Sequence, residues 1–152
     1  MNALTTLLLC LLCLPVFGQA TEELPRTAEH MPLFRSADCP ADESYPSRKA
    51  CADRALLEAI YSQLNYPDEA RSYGGPDKLA VVNLVVAEDG SVSDVEVYRD
   101  PGYGMGAEAQ RVVEQLAATR GFEPATNEGT PVRMLLQLPI KFTRPENNPS
   151  GP

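Results

Sequence analysis

Tryptophan is absent from this 152-residue chain, histidine occurs once, at His30, and no charged side chain stands among residues 1–20. Each lack excludes something. A Ser-His-Asp or Cys-His arrangement would have to be built on His30, which lies in a stretch poor in apolar residues. Metal or redox chemistry is equally short of ligands, because Cys39 and Cys51 are not spaced as C-x-x-C and have only His30 to join them. Basic residues are in the minority, 13 Lys and Arg against 21 Asp and Glu, giving a net charge of −8. Such a balance disfavours nucleic acid and anionic lipid and is read as solubility. Tyr45, Tyr61, Tyr66, Tyr73, Tyr98 and Tyr103 have no basic partners arranged as a stacking platform for bases. The run Gly102-Tyr103-Gly104-Met105-Gly106 matches neither G-x-G-x-x-G nor the Walker pattern, and no Lys follows at the helix start. It reads as a turn. The expectation is a protein without catalytic residues, metal or cofactor.

What is present begins with an apolar run, Leu4 to Phe17, closed by the small residues of Gly18-Gln19-Ala20. Residues 1–20 read as a cleaved secretory signal, which places the mature chain in the periplasm. A membrane-spanning helix needs about 20 apolar residues; this run is shorter and carries Pro15. The alternative is a retained anchor in the inner membrane, facing the periplasm. Cys10 and Cys13 leave with the signal. Cys39 and Cys51 remain, and an even pair in an exported chain reads as a disulfide.

Residues 21–50, rich in Pro, Ser, Asp and Glu, read as an irregular N-terminal arm tied by the disulfide loop. Helical spacing then appears from Arg48 to Leu64, with Ser47 as a candidate cap and Leu56, Leu57, Ile60, Tyr61 and Leu64 as the core-facing stripe. Tyr66-Pro67 breaks it, and Pro67-Asp68-Glu69-Ala70-Arg71 suits a short second helix with acids in its first turn. Lys78 to Glu88 is a nearly continuous apolar run, expected to be a central strand covered on most of both faces. Asp89-Gly90 marks a hairpin to a second strand, Val92 to Arg99. Met105 to Thr119 carries one apolar stripe, Met105, Ala109, Val112, Val113 and Leu116, with Glu108, Arg111, Glu114 and Gln115 turned to water; Gly121 stops it.

A third strand, Val132 to Phe142, alternates strictly. Val132, Met134, Leu136, Leu138, Ile140 and Phe142 share one face, and Arg133, Leu135, Gln137, Pro139 and Lys141 the other. Pro139 cannot donate to a ladder, so this strand should lie at an edge. Residues 143–152 read as a disordered polar tail. A right-handed crossover that skips one strand brings the third strand beside the first. The expected fold is α+β: a three-stranded antiparallel sheet of order 2-1-3 with two helices packed on one face, spanning residues 51–142.

The run Leu64 to Phe142 resembles the C-terminal domain of TonB-family energy transducers. The residues that carry the resemblance are Tyr66-Pro67-Asp68-Glu69-Ala70-Arg71, Leu84 to Val92 with its Glu88-Asp89-Gly90-Ser91, and Ala109-Gln110-Arg111-Val112-Val113. Phe122-Glu123-Pro124, Gly129-Thr130-Pro131-Val132 and Leu138-Pro139-Ile140-Lys141-Phe142 continue it in order. The family's common Trp is missing, and Thr119-Arg120-Gly121 stands in its place. The resemblance implies a periplasmic domain that grips an extended segment of an outer-membrane TonB-dependent receptor by strand addition, in transmembrane transport. It implies partner contacts at Tyr66 and Pro67. On the expected edge strand, Arg133, Leu135, Gln137 and Lys141 would flank the guest. A retained anchor would add a proton-driven inner-membrane motor as a second partner. The competing expectation is a stand-alone envelope adaptor of the same fold, or one that pairs edge to edge with its own copy as a homodimer.

Overall fold

The computed structural model describes residues 23–73 and 77–144. The expected signal, residues 1–20, Gly74-Gly75-Pro76 and all but the first two residues of the expected tail lie outside the described residues. In chain order the elements are β1 (Leu33–Phe34), α1 (Tyr45–Gln63), α2 (Asp68–Tyr73), β2 (Lys78–Val86), β3 (Val92–Arg99) and α3 (Met105–Thr119). They are followed by β4 (Phe122–Glu123), β5 (Ala125–Asn127), β6 (Thr130–Val132) and β7 (Met134–Phe142).

The main sheet has the order β3-β2-β7 and is antiparallel throughout, as the strand composition predicted. Its inner face carries Ala80, Val82, Leu84 and Val86 from β2 and Ile140 and Phe142 from β7, all buried. Against them pack Met105, Ala109, Val112, Val113 and Leu116 of α3 and Ile60 of α1. Each of the larger side chains among these contributes about 1.5–3 kcal/mol on leaving water, which explains why the two apolar stripes drive the helices onto this one face.

The other face departs from expectation. Leu79, Val81 and Asn83 of β2 are only partly covered, while Val85 on the same face is buried, so the central strand is sealed along one side and only at its Val85 end on the other. The apolar run has a second use there: cross-strand rungs Val81–Pro139 and Val85–Leu135, with an Asn83–Gln137 rung between them, give the open face its own packing.

α1 starts at Tyr45, inside the stretch expected to be irregular, with Ser44 rather than Ser47 at its cap position and a Pro in its first turn. Along its length Ile60 is buried, whereas Leu57 and Tyr61 stand 50% and 46% exposed. The expected stripe was too wide by those two residues. Cys39 and Cys51 are bonded, with Cα atoms 5.7 Å apart. The bridge fastens the N-terminal stretch to α1 and stabilises by about 3 kcal/mol in the chain-entropy picture. β1 pairs with β4, and His30 bridges Thr126, so residues 30–34 run antiparallel to residues 122–126. Val132 belongs to β6, paired with Ala125 of β5, and the edge strand therefore begins at Met134 rather than Val132. Among the described residues no helix is long and apolar enough to cross a membrane.

Candidate binding edge

β7 pairs with β2 over nine consecutive residues without irregularity, from Lys78↔Phe142 to Val86↔Met134. Antiparallel strands alternate in which residues bond to the neighbour. The even-numbered residues of β7 bond to β2, and Leu135, Gln137, Pro139 and Lys141 turn their backbone groups to the outside. Along that outer edge the groups meet different fates. The Leu135 N–H donates to the Pro25 carbonyl at 2.9 Å. The Lys141 N–H donates to the Tyr61 hydroxyl at 3.2 Å. Pro139 has no N–H to offer. The Gln137 N–H has no partner among the described residues.

The opposite edge is built differently. β3 slips register twice against β2, leaving Asp94, Val95 and Tyr98 out of the pairing. Asp94 sits at φ 51°, and the Gln110 side-chain amide of α3 donates to the Val95 carbonyl at 3.1 Å. Such kinks deny a straight template to an incoming strand. The sheet thus has one regular edge, β7.

The residues expected to contact a partner separate into two groups. Tyr66 and Lys141 line one cavity of about 330 Å³ with Tyr61, Asn65, Arg71 and Phe142 at the Lys141 end of the edge. The Tyr66 ring packs edge-on against Phe142 at 6.4 Å, and the Arg71 guanidinium lies 5.7 Å from its centroid. The Lys141 ammonium pairs with Asp77 at 2.9 Å, which holds the Lys141 pKa above and the Asp77 pKa below the ordinary values. Pro67 leads into α2, its carbonyl accepting the Arg71 N–H at 3.0 Å. That is a helix-start position, outside the cavity lining. Gln137 points onto the open sheet face and donates to the Asn83 side-chain carbonyl at 2.8 Å. Arg133 lies just outside β7, 3.4 Å from Asp94, and borders a second cavity of about 550 Å³ at the Leu135 end.

Two features escaped the sequence. Glu108, expected in water, is a hub. Its carboxylate accepts from Arg111 at 2.7 and 2.8 Å and from the Asn65 N–H at 2.8 Å, with its side chain only 15% exposed. Arg111 in turn donates to the Gln63 carbonyl at 2.9 Å. The cluster closes the end of α1 and fixes the Asn65-Tyr66 turn beside the first cavity. The Arg111 guanidinium chiefly, then the Asn65 amide, hold the Glu108 carboxyl below its ordinary 4.5 against the opposing pull of burial. A depressed carboxyl stabilises the fold above its unfolded pKa and loses that contribution as pH falls through the folded pKa. Glu108→Gln should therefore destabilise by about 1.5 kcal/mol at pH 7, the scale of a charge-assisted hydrogen bond. In urea melts across pH, the gap between variant and native protein should close below the ordinary 4.5. A gap independent of pH would mean the carboxylate charge plays no part.

The second is the glycine-rich loop. The Asp100 carboxylate accepts from the Gly102 and Gly106 N–H groups at 2.8 and 3.1 Å. It occupies the amino end of α3, where a phosphate would have to sit, so the loop is a self-capped turn.

Residues 62–143 match the family model for the C-terminal domain of the Gram-negative bacterial TonB protein. The chain belongs to that family, whose members are non-enzymatic energy transducers of the cell envelope. Two solution structures of the Helicobacter pylori TonB C-terminal domain are similar to this chain. That of residues 179–285 is 20% identical, with 70% of this chain and 89% of that one covered and a TM-score of 0.48. That of residues 194–285 is 21% identical, with 59% and 90% covered and a TM-score of 0.42. No curated protein matches the chain.

Proposed function

We propose that this protein acts in the periplasm as a TonB-like binding domain, and that an extended segment of an outer-membrane TonB-dependent transporter adds to the sheet as a strand beside β7. The observation that carries the reading is the uninterrupted nine-residue register of β7, set against the doubly slipped register of β3. A regular edge supplies backbone hydrogen bonds in series, and alternate side chains supply selectivity. A guest beside β7 runs from the Arg133 cavity, past Gln137, to the Tyr66–Lys141 cavity. Its side chains at the two ends are the ones the domain selects. Pro139 and the Tyr61 hydroxyl limit the free edge, so the guest pairs over a short stretch centred on Gln137.

The test is amide hydrogen exchange of the protein titrated with synthetic peptides copied from the periplasm-facing N-terminal segments of outer-membrane TonB-dependent transporters. The expected result is saturable slowing at Gln137 by about tenfold, the scale of one backbone bond formed. Slowing confined to β3, or absent from both edges, would move the site elsewhere. A slowing at Gln137 that grows with protein concentration in the absence of peptide would favour the self-pairing adaptor instead.

A further inference from the structure

The β7 edge already carries a short segment of its own chain. Pro25 places its carbonyl 2.9 Å from the Leu135 N–H, the first outward group of the edge. Leu24 and Pro25 form one wall of the 550 Å³ cavity whose other walls are Glu88, Pro131, Val132 and Arg133. The chain reaches this place by a firmly held path. His30 and Thr126 exchange two backbone bonds of 3.0 and 2.9 Å, the Glu29 N–H donates to the Asn127 side-chain carbonyl, and Leu33 and Phe34 are buried in β1. From Glu23 to Ala28, by contrast, no residue is buried, and the single backbone bond at Pro25 is the contact with the edge. The segment is anchored at its carboxyl side and lightly laid down at its amino side. It covers the group a guest strand would need first, and it leaves most of the adjoining cavity unfilled.

We propose that residues 23–28 are a resident competitor for the guest strand, displaced when a partner segment binds. The inference rests on the β7 edge being the binding site. The same contact describes the partner: an extended segment with an unpaired carbonyl opposite Leu135 and an apolar side chain to fill the cavity that Leu24 lines together with Pro131 and Val132. A guest that fills the cavity more fully than Leu24 and Pro25, and continues its bonding to Gln137, makes two edge bonds where the resident makes one. Residues 30 onward stay in place during the exchange, because their pairing with β4 and β5 is independent of Pro25.

The experiment uses the full chain with residues 23–28 replaced by an equal length of alternating Gly and Ser. The Leu135 amide should exchange about tenfold faster than in the native chain, and Ile140, bonded inside the sheet, should be unchanged. The transporter peptides described above should bind the variant about tenfold more tightly, since the edge is no longer partly occupied. Unchanged exchange at Leu135 overturns the competitor while leaving the edge itself standing. Faster exchange with equal peptide affinity overturns it as well, showing a cover with no role in binding. Faster exchange with no peptide bound by either chain removes the edge as the binding site and the competitor with it.

Discussion

Gly90→Ala should cost about 3–5 kcal/mol, a large share of the roughly 5–15 kcal/mol that holds a domain of this size folded. The reason is a coincidence of two demands at one position. Gly90 closes the β2–β3 turn at φ 82°, its N–H donating to the Ala87 carbonyl at 2.9 Å, and a side chain there is strained whatever the space. There is also no space. A Cβ would lie 2.0 Å from the Phe122 carbonyl oxygen, a backbone atom that cannot rotate aside. Phe122 cannot retreat, because its N–H donates to the Gly90 carbonyl and its ring is buried against Phe34. Gly129→Ala is the control: φ there is 76°, but nothing lies within 4 Å of its Cβ, so only the backbone strain of about 1 kcal/mol applies. Urea unfolding of the two variants separates the terms. Equal losses would show that strain alone matters and that the turn yields to Phe122.

Long-range contacts of this kind leave no local pattern in the sequence, whereas elements that bury one face by their own period do. β3 and α3 have the bounds their periodicity gave, because each forms its pattern locally and buries one face. β4, β5 and β6 carry two or three residues each, too few for any period to show: β4 exists through Leu33 and Phe34 far back along the chain, and β5 and β6 pair with each other across Glu128-Gly129, with His30 bridging to Thr126. Glu108 and Arg111 looked like an ordinary surface pair at helical spacing. They became a hydrogen-bonded hub, with Glu108 largely covered, only because Asn65, 43 residues away, brings its amide to the carboxylate. Tyr61 read as core by its spacing, yet it stands half-exposed, and its hydroxyl does something periodicity does not encode: it covers a strand edge.

The site divides the same way. The edge was legible because Pro139 and strict alternation are local signals, and Tyr66 and Lys141 do meet in one cavity. The separation of Pro67 from that cavity was not legible, since a Pro at a helix start and a Pro at a contact surface look alike in sequence. Nor was the resident segment. Glu23 to Ala28 has the composition of a loop, and its placement follows from the bridging of His30 to Thr126, which no pattern announces.

Gln137→Pro should abolish partner binding while the fold persists. The substitution exploits the alternation of β7. The Gln137 N–H points away from β2, so a proline there removes no bond of the β2–β7 ladder. It does remove the one outward donor that lacks a partner among the described residues, and its ring occupies the space where a guest backbone must approach. The Gln137–Asn83 side-chain bond is lost too, at an expected cost to stability of about 1 kcal/mol on the open face. A guest deprived of its central bond and pushed off the edge should lose about 100-fold or more in affinity, measured by titration with the same peptides. Leu138→Pro makes the comparison. Its N–H faces β2, so proline there breaks the ladder opposite Val82 and should unfold the sheet. Leu135→Pro is the less clean variant, because it breaks the Pro25 bond as well as the guest's and so changes both sides of the competition. If Gln137→Pro binds the peptides as tightly as the native chain and melts within a few degrees of it, the guest does not lie along β7. The open sheet face, with Leu79, Val81 and Pro139 already turned to solvent, would then be the surface left to explain recognition.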